Sequence, residues 1–304
     1  MDGILPLNKD RGMTSHDAVF KCRKIFKTRK VGHSGTLDPN VDGVLPICIG
    51  RATKAVNYLM ASGKVYKGEI ILGFSTETED LDGEVIAKKA IERPFSQEQI
   101  DQAMVQLTGE IIQTPPMYSA VKVDGKRLYE YARAGQSVER PKRKITVDYF
   151  KQTKPSTYDV AKKQQTLYFE VGCGKGTYVR TLALDLGEIL GVPAVMSDLT
   201  RLQSGGFDLK KSVTLEQLTN ATPEELETYL YPLEYAFRSY PKVILTEQQW
   251  QKVQNGGFLP ANIFKDKTSK ILLMYGDKAR ALYYYDDKKD VFRSEQMLDL
   301  TQRG

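Results

Sequence analysis

The sequence predicts an α+β protein with a small β-rich module at its C-terminal end. Over the first 238 residues, short apolar or alternating runs that predict strands are interspersed with apolar residues at helical spacing. The composition then shifts, and closely spaced strand candidates separated by turn residues indicate a β-barrel-like module. A chain of 304 residues can form one large domain and one small one. We therefore predict domains at 1–238 and 239–304.

The individual elements follow from local patterns. Strands are predicted where branched or alternating apolar residues run between turn residues. They are 3–7, 44–49, 64–72, 84–87, a strand that follows 140–143 and ends at 150, 165–172, 271–275, 279–285, 291–293 and 297–300. Capping pairs predict helix starts at Thr14 with Asp17 and at Ser96 with Gln99. Further helices are predicted near 52–59, 128–132, 182–190 (ending at Gly191) and 246–250. The polar stretch 154–164 is predicted to be a hairpin loop.

The net charge of +6 is distributed unevenly along the chain. Residues 1–67 carry 12 basic and 5 acidic side chains, residues 120–180 carry 14 and 6, and residues 75–110 carry 3 and 9. Two basic blocks separated by an acidic one favour a face that binds a polyanion. Ordinary solvated surface charge is the alternative that these counts leave open.

Several classes of protein are excluded by composition. Cys22, Cys48 and Cys173 match no metal or redox spacing and lie among apolar residues, so we predict that they belong to the core. Two histidines cannot make a His-rich metal site, and the glycine-rich stretch at 172–176 lacks the spacing of a phosphate-binding loop. No apolar run has transmembrane length, and the N-terminus lacks a signal-peptide core. These features predict a cytoplasmic protein without a metal or cofactor.

The most informative stretch, here called the Asp38 loop, comprises residues 32–46. Its glycines permit backbone conformations closed to other residues, and Pro39 biases Asp38 towards an extended or turn shape. The backbone therefore aims the Asp38 side chain, at the start of an apolar run that predicts a buried strand. This is what a nucleophile or general base requires. An Asp that closes an Asx-turn before a proline is the common alternative.

The Asp38 loop resembles the signature of the TruB family of tRNA pseudouridine synthases. The resemblance covers G-H-S-G-T-L-D-P at 32–39 and G-V-L-P-I-C-I-G-R-A-T-K at 43–54, and continues in P-P-M-Y-S-A-V-K at 115–122, in 173–181 and in L-T-R-L at 199–202. It implies the pseudouridine synthase fold, an α+β fold whose mixed, largely antiparallel central sheet is flanked by helices and loops. It also implies a C-terminal PUA-like RNA-binding domain, although a plain structural cap is the alternative there.

The resemblance further implies an activity and a set of site residues. Family members convert the T-loop uridine of tRNA, position 55, to pseudouridine without a cofactor. Asp38 matches the catalytic aspartate, Tyr66 the tyrosine that stacks on the target base and helps to remove its C5 proton, and Arg180 the cation that keeps the aspartate ionised. The implied substrate-binding residues are His33, Tyr178, Leu199 and Lys9. In isolation Tyr66 and Leu199 would be interpreted as core, His33 as a loop histidine and Arg180 as a phosphate contact.

These implications define the expected partner. The target base lies inside a folded loop, so the enzyme must flip it out, and contacts to tRNA phosphates would offset that cost. The two basic blocks should then share one face. We predict a monomer that acts on the T arm of tRNA, without a membrane and without an obligatory protein partner. A non-catalytic tRNA-binding or folding module and a guide-RNA-dependent relative are the two alternative hypotheses.

Overall fold

The structure is a computed structural model and describes residues 1–268 and 270–299. Its strands are β1 (Gly3–Lys9), β2 (Val31–His33), β3 (Asp42–Ile49), β4 (Lys64–Leu72), β5 (Phe74–Thr76), β6 (Val85–Lys88), β7 (Gly109–Gln113), β8 (Lys122–Val123), β9 (Lys126–Arg127), β10 (Arg143–Asp159), β11 (Gln164–Cys173), β12 (Ala194–Ser204), β13 (Phe207–Asp208), β14 (Lys242–Ile244), β15 (Leu259–Pro260), β16 (Ile271–Tyr275), β17 (Lys278–Asp286) and β18 (Val291–Met297). Its α-helices are α1 (Ser15–Ile25), α2 (Val56–Ala61), α3 (Gln97–Gln106), α4 (Leu128–Arg133), α5 (Val179–Leu190), α6 (Leu215–Asn220), α7 (Pro223–Thr228) and α8 (Glu247–Val253). Short 3₁₀ helices form at Gly50–Ala55, Leu209–Lys211, Leu233–Phe237 and Ala261–Ile263.

A nine-stranded sheet forms the centre of the molecule. Its main path runs β1-β3-β12-β4-β11-β10-β7, with β13 paired to β12 and β2 paired to β3. Every pairing in it is antiparallel except that of β12 with β3, which is parallel. The predicted α+β class with a mixed, largely antiparallel sheet is therefore confirmed.

The parallel contact between β3 and β12 depends on a glycine. Gly43 has φ +108° and lies opposite Arg201. A Cβ atom on Gly43 would lie 2.2 Å from the carbonyl oxygen of Arg201 and 2.7 Å from its backbone nitrogen. Only glycine lets the two backbones approach this closely in this conformation.

Replacing Gly43 with alanine is expected to destabilise the fold by at least about 3 kcal/mol, because backbone strain and a backbone clash act together. Urea unfolding measures this change. The matched control is Gly12→Ala, since Gly12 also has a positive φ of +78° but has open space around its Cβ position. A cost for Gly43→Ala no larger than that of the control would contradict the close-approach explanation.

The predicted capping signals are confirmed. Thr14 caps α1 and Ser96 caps α3, each through a reciprocal capping box with the residue three positions on. Helix α5 ends at Gly191, which has φ +72° and therefore the left-handed conformation expected of a glycine after a helix. The three cysteines are buried, as predicted.

Three predictions about strands were wrong or incomplete. The stretch 154–164 is not a loop, because β10 continues to Asp159 and stays paired with β11 through two register shifts. Strand β12 was not predicted, and neither were the short strands β2, β5, β7, β8, β9, β13, β14 and β15. At the C-terminal end a single strand, β18, replaces the two predicted at 291–293 and 297–300, and Leu300 lies outside the described residues.

The β-rich C-terminal part is a second sheet of five strands, in the order β14-β16-β17-β18-β15. One apolar cluster joins it to the central sheet, with Val44 and Cys48 on one side and Leu272 and Leu282 on the other. Lys54 also donates hydrogen bonds to the carbonyls of residues 297 and 298, at 2.9 Å each. The C-terminal sheet is thus packed against the N-terminal part, while the boundary at residue 238 stays a prediction.

No helix within residues 1–268 and 270–299 combines the length and apolar character needed to cross a bilayer.

Candidate active site

A cleft with a volume of about 860 Å³ opens beside the Asp38 loop. Five of the seven site residues predicted from the sequence line it: Asp38, Tyr66, Tyr178, Arg180 and Leu199. They come from the Asp38 loop, β4, the start of α5 and β12. The fold thus collects residues that are far apart in the chain around one cavity.

The centre of the cleft is an ion pair between Asp38 and Arg180. The Nε atom of Arg180 lies 3.1 Å from Oδ2 of Asp38. The other end of the guanidinium donates to the carbonyls of Thr78, at 2.8 Å, and Tyr118, at 3.0 Å. Nη1 also lies 3.7 Å from the carboxylate of Asp80. Arg180 is only 7% exposed, so it fixes three chain segments at once.

The Asp38 carboxylate faces opposing electrostatic influences. Its side chain is 41% exposed because it opens into the cleft, yet the cleft walls remove enough water to raise its pKa. The guanidinium of Arg180 lowers that pKa, whereas the nearby carboxylates of Asp80 and Asp82 raise it further. The net direction of the pKa shift is upward, and Arg180, with a smaller contribution from Lys9, opposes protonation of Asp38.

The Asp38 loop is held on several sides by backbone contacts. Ser15, at the start of α1, accepts from the amide of Leu37 at 2.8 Å and donates to its carbonyl at 3.1 Å. The turn after Asp38 is closed by its backbone carbonyl, which accepts from Val41 at 3.1 Å. The side chain of Asp38 is therefore free to point at Arg180 instead of closing an Asx-turn.

Aromatic and apolar side chains form the walls around this ion pair. Tyr66, on β4, and Leu199, on β12, are both nearly buried and face the cleft. Tyr178 precedes α5, and its backbone is held by Gln113, whose side chain accepts from the Tyr178 amide at 2.8 Å and donates to its carbonyl at 3.1 Å. Desolvation by burial raises the pKa of both tyrosines. The three side chains of Tyr66, Tyr178 and Leu199 thus give the cleft a neutral, largely apolar surface, which suits a planar base.

The two remaining predicted residues do not line the cleft. Lys9 is fully buried, and its ammonium donates to the carbonyls of Asp10, Met13 and Pro39 at 2.9, 2.8 and 3.3 Å. This placement does not support the predicted contact with substrate, because every donor direction is turned into the protein. His33 lies on β2, where burial lowers the pKa of its imidazole.

Three residues in or next to this site were not predicted from the sequence: Arg201, Lys64 and Asp80. Arg201, on β12, is buried and donates from Nε to the carbonyl of Val44 at 2.7 Å and from Nη2 to that of Gly35 at 3.1 Å. An arginine inside the apolar run L-T-R-L was a usable signal, because a buried charge needs partners. Lys64 lies on the cleft wall, and desolvation lowers its pKa to about 8. Asp80 belongs to the acidic block at 75–110, whose charge is opposite to that expected of a polyanion site, so its place beside Arg180 was not predicted.

The mouth of the cleft is basic. The exposed cations Arg127, Arg143, Lys144 and Lys175 line it, all from the second basic block. Lys64 from the first block lines the same cavity, but it is buried and its ammonium donates to the carbonyls of Met60 and Ser62. Both blocks thus contribute to one cavity, and the exposed cations of the second block can approach the phosphates of a nucleotide that enters it.

Solved structures share this architecture over nearly the whole chain. A chain in the crystal structure of a Cbf5-Nop10-Gar1 complex aligns with a TM-score of 0.73 and 26% identity, covering 98% of this chain and 85% of that one. The fold is that of the pseudouridine synthases.

Sequence comparisons place the chain within that class. Residues 23–179 match the N-terminal domain of TruB family pseudouridylate synthases, and residues 180–238 match the C-terminal domain of tRNA pseudouridylate synthase B. The chain belongs to the TruB family. It is 61% identical to the tRNA pseudouridine synthase B of Ligilactobacillus salivarius, covering 99% of this chain and 100% of that one. It is 56% identical to the protein of that name from Pediococcus pentosaceus, covering 98% and 99%.

Proposed function

We propose that the protein converts the uridine at position 55 in the T-loop of tRNA to pseudouridine. Two full-length relatives at 61% and 56% identity carry the name tRNA pseudouridine synthase B. The observation that carries the proposal is the Asp38–Arg180 ion pair inside a cleft with aromatic walls. Nothing in the comparisons favours a non-catalytic tRNA-binding module or a guide-RNA-dependent enzyme.

The reaction is an isomerisation that needs one well-placed carboxylate. The N1–C1′ glycosidic bond breaks, the uracil turns, C5 bonds to C1′, and the C5 proton leaves as N1 gains one, so the product is an isomer of the substrate. An ionised Asp38 can attack C1′ or the base, or stabilise positive charge growing on the sugar. In each case the carboxylate must be ionised, and Arg180 supplies the neighbouring charge that favours this state.

The other predicted site residues bind the flipped base or support the Asp38 loop. Tyr66 stacks on the flipped uracil, while Tyr178 and Leu199 enclose it. Because burial raises the pKa of Tyr66, its phenol is protonated at neutral pH, which supports stacking more directly than removal of the C5 proton. His33 wedges into the T-loop as a neutral imidazole, in keeping with its lowered pKa. Lys9 supports the Asp38 loop through the carbonyl of Pro39.

The remaining assignments concern the whole molecule. The catalytic domain is 1–238, and 239–304 is a PUA-like domain that contacts RNA. The protein acts as a monomer in the cytoplasm, where tRNA is its partner and no obligatory protein partner is needed. The basic rim of the cleft supports direct binding of the tRNA T arm.

Incubation of the purified protein with an unmodified T-arm hairpin tests the proposed function. Chemical mapping should show one pseudouridine, at the position that corresponds to uridine 55. A hairpin with cytidine at that position is the control and should remain unmodified. Absence of product from the uridine hairpin and from full-length tRNA would contradict the proposal.

A further inference from the structure

The exposed face of α1 carries an aromatic and basic stripe that the proposed site does not use. His16, Phe20, Lys24 and Lys27 are spaced four, four and three residues apart, so the first three share one face of the helix and Lys27 extends it past the helix end. Phe20 is 55% exposed, and the ammonium of Lys24 lies 4.6 Å from the centre of its ring. An exposed aromatic ring beside lysines is a feature of surfaces that bind single-stranded nucleic acid.

The charge around this stripe is almost entirely positive. Residues 15–30 contain one acidic side chain, Asp17, which is engaged in the capping box at the N-terminal end of the helix. The cations are all exposed, and no carboxylate within residues 1–268 and 270–299 pairs with any of them: Lys21, Arg23, Lys24, Lys27, Arg29 and Lys30. A patch of six unneutralised cations is complementary to a polyphosphate backbone.

The stripe starts at the candidate site and leads away from it. Ser15, at the first turn of α1, is hydrogen-bonded to Leu37 of the Asp38 loop. His16 lies edge-on to His33, with ring centres 6.0 Å apart. The eleven residues of α1 then extend about 16 Å along its axis. None of residues 15–30 lines the cleft, so this surface is separate from the basic rim that faces the cleft.

We propose that the face of α1 formed by His16, Phe20, Lys24 and Lys27 binds a segment of tRNA outside the T-arm hairpin. In this arrangement Phe20 stacks on an unpaired base or ribose, and the lysines contact phosphates on either side of it. The proposal rests on the proposed function and deepens it, because it gives the enzyme a reason to bind intact tRNA more tightly than the isolated hairpin.

Two substrates and three variants test the proposal, and one of the variants is a control. The variant Lys24→Glu/Lys27→Glu should bind full-length unmodified tRNA about tenfold more weakly, with a salt dependence reduced by the loss of about two phosphate contacts. Its affinity for the T-arm hairpin and its rate of pseudouridine formation in the hairpin should match those of the unchanged protein.

Phe20→Ala should weaken binding of full-length tRNA about threefold or more, with little change in salt dependence, because stacking carries no charge.

The matched control is Lys154→Glu/Lys162→Glu. Lys154 also lies over an aromatic ring, at 3.6 Å from Tyr168, and Lys162 is also exposed. Both lie towards the far end of the β10–β11 hairpin, and Lys162 is about 30 Å along the strands from the end of β11 that meets the cleft. This control should bind both RNAs normally.

Two results of these binding measurements would overturn the proposal. Equal losses on the hairpin and on full-length tRNA would overturn the proposal, because the stripe would then serve the T arm itself. Unchanged binding of both RNAs would also overturn it, leaving the stripe as solvated surface or a site for an acidic protein. The proposed function is judged separately, by whether the unchanged protein forms pseudouridine in the hairpin.

Discussion

Replacing Asp38 with asparagine is expected to lower the rate of pseudouridine formation at least about 1,000-fold, while tRNA affinity changes little. The substitution keeps the shape of the side chain but removes the charge that can attack or stabilise the sugar. It also removes the partner of Arg180, which lies 3.1 Å away. Single-turnover formation of pseudouridine and filter binding of the same tRNA measure the two quantities separately.

The control for this experiment is Asp42→Asn. Asp42 lies four residues along the same loop, pairs with Arg11 at 3.4 Å, and does not line the cleft. It should therefore retain most of the activity. Near-normal turnover by Asp38→Asn, or an equal loss in the control, would mean that the carboxylate at position 38 is not the reacting group.

Replacing Arg180 with methionine is expected to have the second-largest effect, and to change the pH dependence as well as the rate. Burial and the carboxylates of Asp80 and Asp82 raise the pKa of Asp38, and Arg180 is the neighbour that lowers it most. Without the guanidinium the pKa of Asp38 rises further, so a larger fraction of the enzyme is protonated and inactive at a given acidic pH. The acid limb of the pH–rate profile should therefore move to higher pH.

The same substitution should also destabilise the fold by about 2–4 kcal/mol, since it leaves the partly buried carbonyls of Thr78 and Tyr118 without their donor. Arg180→Lys keeps the charge but not the forked geometry, so its acid limb should move less while its rate still falls. Thermal unfolding and pH–rate profiles of both variants measure these effects.

Arg143→Met provides the comparison for Arg180, because Arg143 lines the same cleft but is exposed. It should weaken tRNA binding without moving the acid limb. If the acid limb of Arg180→Met stays where it is in the unchanged protein, then Arg180 does not control the protonation of Asp38.

Local sequence patterns were sufficient for most elements of the fold. The capping pairs at Thr14 and Ser96 and the glycine after α5 each act within a few residues, so each was predictable. The strand β10 was cut short in the prediction because its second half is polar. Its pairing with β11, a tertiary contact, keeps it extended. Strand β12 was missed although it lies at the middle of the sheet, between β3 and β4.

By itself, the sequence determined the family, the central aspartate and the stiffness of the loop that carries it, because glycine and proline constrain the backbone wherever they occur. Only the tertiary structure decided what that aspartate meets. Arg180 reaches across 102 positions to the carbonyl of Thr78, and Arg201 reaches across 157 to that of Val44. The tertiary structure likewise turned Lys9 into the protein and brought Asp80 of the acidic block next to Arg180. Such contacts depend on how distant segments pack, and no pattern within a single segment encodes them.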